Sequence, residues 1–275
     1  MRMLAFITRH KPVIDRFLAT FLQQKKKSLS KVNQWGSDAI DKLIPFVTAG
    51  KCVRGSLVLF SYLMFKNKLK SEVIQAAAGI ELLHSGLLIH DDIMDRDTKR
   101  RGSEAVHYQY QKLATPHFGE SMGITIGDLS FFLGFELLHD QVFPLVSREL
   151  ATVATAQMQD VAQTALPKKL SPNDILSLYR YKTARYSFSL PLTIGAMLAG
   201  QPQQVISDLE KLGESLGILY QIRDDQLDQT ITVDLSSHLP RLTASCRQTI
   251  TKLPISRQAR QQLLELTRFC VIRKK

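Results

Sequence analysis

Cysteine, long apolar runs and turn-forming pairs are scarce in this chain of 275 residues, and each scarcity excludes something. The three cysteines, Cys52, Cys246 and Cys270, cannot all pair and have no metal-like spacing. That argues against a disulfide framework or a zinc site and for a reducing compartment. No apolar run reaches the ~18 residues of a membrane span; residues 187–200 come nearest. Residues 1–5 lack the apolar region and small-residue cleavage site of a signal peptide. A soluble, cytoplasmic protein is expected, with at most peripheral membrane contact. Gly-Gly and Pro-Gly hairpin signals are missing and alternating strand-like runs are few, which speaks against a β fold. No Ser/His/Asp or Cys/His constellation offers a protein nucleophile.

Positive charge is abundant: the net charge is +11. Part of the excess sits in short runs at Lys25, Lys26 and Lys27, at Lys168 and Lys169, and at Arg273, Lys274 and Lys275. None is interleaved with aromatics, and there is no helix-turn-helix or zinc-finger spacing, so nucleic acid is not the expected partner. A positive field suits small, strongly anionic substrates. Helical periodicity marks residues 53–66, 71–95, 116–139, 145–166, 202–228, 240–252 and 256–272. Ser171-Pro172-Asn173-Asp174 reads as a capped helix start, and Gly200-Gln201-Pro202 ends one helix and opens another. Without a linker-like shift in composition, residues 1–275 are expected to form a single all-α domain, a helical bundle hosting its chemistry in the core.

Two acidic motifs carry the functional signal. Asp91-Asp92-Ile93-Met94-Asp95 ends one apolar helix, and Asp224-Asp225-Gln226-Leu227-Asp228 ends another. Residues i and i+4 share a helix face, so the first and last carboxylates of each motif project together. Like charges so spaced destabilise a bare helix, and a divalent cation compensates them. Magnesium takes few carboxylates and completes its shell with water and phosphate oxygens. Two such patterns arise by chance in on the order of one chain in a thousand.

Cations flank the first motif. Gly50-Lys51-Cys52-Val53-Arg54 opens the preceding helix and Arg100-Arg101-Gly102 follows it; arginine offers a planar fork to phosphate oxygens and lysine a point charge. His84 lies two turns before Asp91 on the same face. Lys182, Thr183 and Gln221 are polar residues in otherwise apolar helical stretches, and Gln221 is one turn from Asp224 and Asp225.

These residues resemble the trans-prenyltransferase, or polyprenyl synthetase, family. The resemblance runs from about residue 31 to 228 through Gly50–Arg54, Glu81-Leu82-Leu83-His84, His90–Asp95, Arg100-Arg101-Gly102, Gly127-Asp128, Lys182-Thr183-Ala184 and Gln221–Asp228. It implies a helical bundle of the isoprenoid synthase type with a central substrate cavity, acting as a homodimer. It implies condensation of isopentenyl diphosphate with an allylic diphosphate, assisted by Mg2+. On this resemblance Asp91, Asp95 and Asp224 ligate magnesium, with Asp92, Asp225 and Asp228 in support. Arg100, Lys182, Thr183 and Gln221 hold the allylic substrate, with Lys182 also among the catalytic group. Lys51, Arg54, His84 and Arg101 hold isopentenyl diphosphate.

The chain departs from the family pattern in three places. Cys52 and Gly55 replace the Arg and Pro of Gly-Lys-Arg-x-Arg-Pro. Residues 229–237 contain no lysine where the family carries two Gly-Lys elements, and residues 229–275 are shortened. An alternative reading is therefore a catalytically weak or regulatory subunit paired with a complete homologue. Leu87 and Gly86 stand where the family places a chain-blocking aromatic. An open floor at that level, with Phe131 or Phe132 further down, implies a product of geranylgeranyl length or longer.

Overall fold

Helical periodicity becomes helix wherever the sequence shows it strongly. The computed structural model describes residues 3–166, 170–228 and 233–272. The expected segments form α3 (Val53–Leu63), α4 (Ser71–Met94), α6 (Pro116–Glu136), α7 (Phe143–Ala165), α10 (Gln203–Asp228), α11 (His238–Lys252) and α12 (Arg257–Ile272). Three further helices were not singled out from sequence, α1 (Met3–Leu29), α2 (Gln34–Thr48) and α5 (Val106–Gln111), while α8 (Pro172–Leu178) follows the start marked at Ser171 and α9 (Leu190–Leu198) precedes the end marked at Gly200. The fold class is all-α. Lys168, Lys169, Arg273, Lys274, Lys275 and residues 229–232 of the lysine-free segment lie outside the described residues.

Local chemistry explains the helix ends. Ser171 and Asp174 form a reciprocal capping box with Pro172 in the first turn, so the orphan N–H groups of α8 are met as its sequence implies. After α9, Gly200 takes φ +68°. Its N–H reaches Met197 O at 2.9 Å and that of Gln201 reaches Ala196 O at 3.1 Å, a Schellman ending.

Three features differ from expectation. The first is a hairpin: β1 (Lys99–Arg100) pairs antiparallel with β2 (Ser103–Glu104). Its two turn residues, Arg101 and Gly102, have φ of +55° and +80°, the type I′ geometry that suits strand twist. The only sequence sign was one glycine after two arginines. The second is a π-helical segment at Tyr179–Ser189, continuous with α8 and α9, whose end is marked by Leu190 N–H reaching back five residues to Arg185 O. Period-3.6 reading cannot separate it from α-helix. The third is α4, which is long and apolar enough by length and composition to cross a membrane, although 67% of that stretch is buried in the protein. The apolar-run test missed it because polar residues interrupt the run.

The described chain forms two compact units. One comprises residues 1–6, 57–73 and 140–275, and the other residues 7–56 and 74–139. In the second unit, Ile14, Leu18 and Leu22 of α1, Ile40 and Leu43 of α2 and Ile80, Leu82 and Leu83 of α4 are buried. In the first, α9 and α10 supply Leu192, Ile194, Leu209, Leu216 and Leu219, and α12 adds Leu263 and Leu266. There α10 and the π-helical segment touch backbone to backbone. A Cβ at Gly217 would lie 2.3 Å from Ala184 Cα, and one at Gly213 would lie 2.4 Å from Ser189 Cα. Glycine one turn apart on α10 admits this close approach.

Candidate active site

The unit of residues 7–56 and 74–139 contains the first acidic motif and the cations near it. Helix α4 stops inside the motif. Asp95 N–H still reaches Asp91 O at 2.8 Å, then Arg96 N–H turns to Ile93 O at 3.3 Å and Asp97 N–H to Asp92 O at 2.8 Å. This is again a Schellman ending, but the left-handed position is occupied by Arg96 at φ +58°, not by glycine. The two motifs thus differ: the first straddles a helix end, whereas the second lies within α10 through Asp228.

Asp92 is completely buried. One of its carboxylate oxygens is held by the Arg100 guanidinium, which also binds Asp97 at 2.9 Å. The other, among the described residues, has no hydrogen-bond partner. Burial pushes the Asp92 carboxyl up to about 6, against the pull of Arg100. Arg100 reaches Asp92 because it lies on β1, across a two-residue turn from β2.

Arg101, at the hairpin turn, points elsewhere. Its guanidinium donates to Phe46 O and lies 5.2 Å from the centre of the Phe46 ring. It also covers Gly50, where a Cβ would lie 2.8 Å from Cζ. Gly50 therefore makes room for Arg101 beside exposed Lys51. His84 feels this cluster: burial first, then the charges of Arg54, Arg101 and Arg100, hold its pKa well below the usual histidine value. It is a neutral imidazole among cations.

The expected open floor at Gly86 needs correction. A Cβ there would lie 2.7 Å from Phe131 Cε1 and 2.8 Å from Gly127 O, so Phe131 of α6 already fills the space above Gly86. Phe132, by contrast, is 67% exposed. Phe131 meets the His90 ring edge-on at 5.3 Å, and His90 presses against Gly127, where a Cβ would fall 2.2 Å from Nε2. That contact accounts for the glycine of Gly127-Asp128, and His90 Nε2 is 3.6 Å from Asp128 Oδ1.

The other unit contains the second motif. Both oxygens of Asp225 are engaged: Tyr179 donates its hydroxyl to Oδ2, and Gln221 donates its amide to Oδ1 at 2.7 Å. Burial, together with Asp225, raises the Tyr179 pKa. Lys182 and Thr183 lie on the π-helical segment, where Lys182 pairs with Asp160 of α7. Arg185, on the same segment, makes a bidentate pair with buried Glu149, at 2.9 and 2.6 Å. Sequence reasoning missed Asp97, Asp160, Tyr179 and the π-helical turn. Each acts through a fold contact with no local signature, except Asp97, two residues beyond the first motif.

Among the described residues no three His, Cys, Asp or Glu side chains gather into a metal cluster. The donor set is nevertheless of the kind magnesium takes, hard carboxylate oxygens in small numbers, with substrate oxygens and water left to complete the shell.

The helical architecture is of the isoprenoid synthase type. The sequence matches the Polyprenyl synthetase family model over residues 34–234, and the chain belongs to that family. It is 32% identical over 188 residues to the short chain isoprenyl diphosphate synthase of Methanocaldococcus jannaschii, covering 65% of this chain and 54% of that protein. It is 29% identical over 236 residues to the geranylgeranyl diphosphate synthase of Methanosarcina mazei, covering 78% and 68%. The first of these alignments spans about half the relative's length. In fold it resembles the crystal structure of geranylgeranyl pyrophosphate synthase from Corynebacterium glutamicum complexed with isoprenyl diphosphate and magnesium. The TM-score is 0.84 at 22% identity, over 97% of this chain and 99% of that one.

Proposed function

We propose that the protein is a trans-prenyltransferase that condenses isopentenyl diphosphate with an allylic diphosphate, releasing pyrophosphate and a longer prenyl diphosphate. One observation carries the reading. The second aspartate of each motif is held by protein donors, Asp92 by Arg100 and Asp225 by Tyr179 and Gln221. Those are the bonds of supporting carboxylates, and they agree with a reading in which Asp91, Asp95 and Asp224 hold magnesium. Asp228 supports the second group. Magnesium, when bound, stabilises charge developing on the leaving diphosphate.

The chain's own residues do the rest. Arg100, Lys182, Thr183 and Gln221 hold the allylic diphosphate, and Arg100 is already oriented by Asp92 and Asp97. Lys51, Arg54 and Arg101 bind the diphosphate of isopentenyl diphosphate, and neutral His84 adds a hydrogen bond without further charge. Apolar residues around the motifs exclude water from the allylic cation. The isopentenyl double bond attacks that cation, and a proton leaves to the departing pyrophosphate. The likeness to geranylgeranyl diphosphate synthases, and no longer an open floor at Gly86, supports a product of that length or longer, with Phe131 as the residue that limits it. The working form is a homodimer.

Purified protein given labelled isopentenyl diphosphate and an allylic primer should extend the primer with magnesium and not with EDTA. Asp91→Ala and Asp224→Ala should each lower turnover at least about a hundredfold while leaving the unfolding midpoint nearly unchanged. Full activity in either variant defeats the assignment. The lysine-free segment after Asp228 favours a second reading, a weak or regulatory subunit of a heteromeric synthase. Tight diphosphate binding without turnover, restored by a complete homologue, would select it.

A further inference from the structure

Helix α3 begins without a cap of its own. Cys52 is its N-cap, since Cys52 O accepts the first intrahelical bond from Ser56 N–H at 3.1 Å. A thiol is a poor substitute for the Ser, Thr, Asp or Asn oxygen that serves the early N–H groups of a helix. The backbone at Cys52 is also left-handed, at φ +55°. The missing oxygen comes from another helix: Gly55 N–H donates to Glu81 Oε1 of α4 at 2.7 Å. Glu81 is only 3% exposed. The buried Cys52 thiol also bonds to the Glu81 carboxylate, and burial and that carboxylate raise its pKa.

The two departures from Gly-Lys-Arg-x-Arg-Pro therefore converge on one buried carboxylate. An arginine at position 52 would give Glu81 a charged donor, and a proline at 55 would have no N–H to offer. In this chain the arginine is gone and the N–H is present. A cysteine with a proline would take this backbone donor from Glu81, and loss of a hydrogen bond to a buried carboxylate is costly.

We propose that Glu81 is a positioning residue that caps α3 from α4, and that Cys52 and Gly55 are coupled replacements serving it. The capped turn carries Lys51 on one side of Cys52 and Arg54 within it, so Glu81 sets where both cations stand. Its negative charge at the N-terminus of α3 also complements the helix dipole. The consequence for catalysis rests on the prenyltransferase reading; the cap itself does not.

The test separates the N–H from the added volume. A Cβ at Gly55 would lie 2.9 Å from Ala77 O and 3.0 Å from Ile14 Cδ1, so any side chain there crowds the helix. Gly55→Ala adds that Cβ and keeps the donor, whereas Gly55→Pro adds it and removes the donor. Gly55→Pro should raise KM for isopentenyl diphosphate about tenfold beyond Gly55→Ala, with KM for the allylic primer and kcat changed less than about twofold. Adding Cys52→Arg to Gly55→Pro should recover most of that loss. In urea unfolding without substrate, Cys52→Arg and Gly55→Pro together should cost less than the sum of the single changes, and Glu81→Gln should abolish the coupling. An additive unfolding cycle overturns the proposal whether or not the protein is active. Equal KM for the alanine and proline variants overturns the positioning role. If the wild type consumes no isopentenyl diphosphate, the functional reading fails while the unfolding cycle still decides on the cap.

Discussion

His84 and Asp92 show how burial acts on single residues in opposite directions. Below about pH 6.5 the unfolded chain protonates His84, and the folded chain, with its depressed pKa, refuses that proton. Stability from His84 is therefore present at neutral pH and lost as pH falls. Asp92, pushed up to about 6, contributes stability in acid that is lost as pH rises through that value. His84→Gln should make stability fall less steeply between about pH 7 and pH 5 than in the wild type, read from urea midpoints; an unchanged slope would rule this out. Gly86 is the second case at this scale. Because Phe131 already fills the space above it, Gly86→Phe should overpack α4 against α6 and cost about 1–3 kcal/mol. The informative variant for product length is Phe131→Ala, expected to give longer chains by chromatography of the dephosphorylated products. Unchanged length would remove Phe131 as the limit.

At the scale of elements, two helices end with the same bonds but different residues. After α9 the left-handed position is Gly200, where the conformation has no steric cost; after α4 it is Arg96. For a residue with a side chain that conformation costs about 1–2 kcal/mol. Arg96→Gly should therefore raise the unfolding midpoint, by roughly 1 kcal/mol once the greater freedom of glycine in the unfolded chain is counted. Calorimetry would show it, and a lowered midpoint would mean that the Arg96 side chain stabilises the turn. Helix existence and type were legible in the pattern of apolar residues, as α4, α6 and α10 show. The hairpin at Lys99–Glu104 was not, because two-residue strands leave no periodicity. Nor was the π-helical turn at Tyr179–Ser189, which packs against Gly213 and Gly217 of α10, far along the chain.

At the scale of the whole molecule, charge is the property with a direct consequence. A net charge of +11 attracts small anions over a distance set by salt. The apparent KM for isopentenyl diphosphate should rise severalfold between about 0.05 and 0.5 M salt, with a smaller change in kcat. Insensitivity to salt would confine recognition to short-range contacts. The candidate site residues from Lys51 to Asp228 are proposed on a likeness of motifs, and the family that those motifs mark was readable from sequence. So was the all-α class, because burying one face of a helix imposes a 3.6-residue period. Partnerships were not readable. That Arg100 belongs to Asp92, Tyr179 to Asp225, Arg101 to Phe46 and Glu81 to the start of α3 depends on side chains brought together from separate helices and loops. Phe131 filling the space left by Gly86 depends on how closely α6 approaches α4. Residue type and spacing are local properties of the chain, whereas who satisfies a buried charge or fills a gap is decided by packing, which only the folded chain contains.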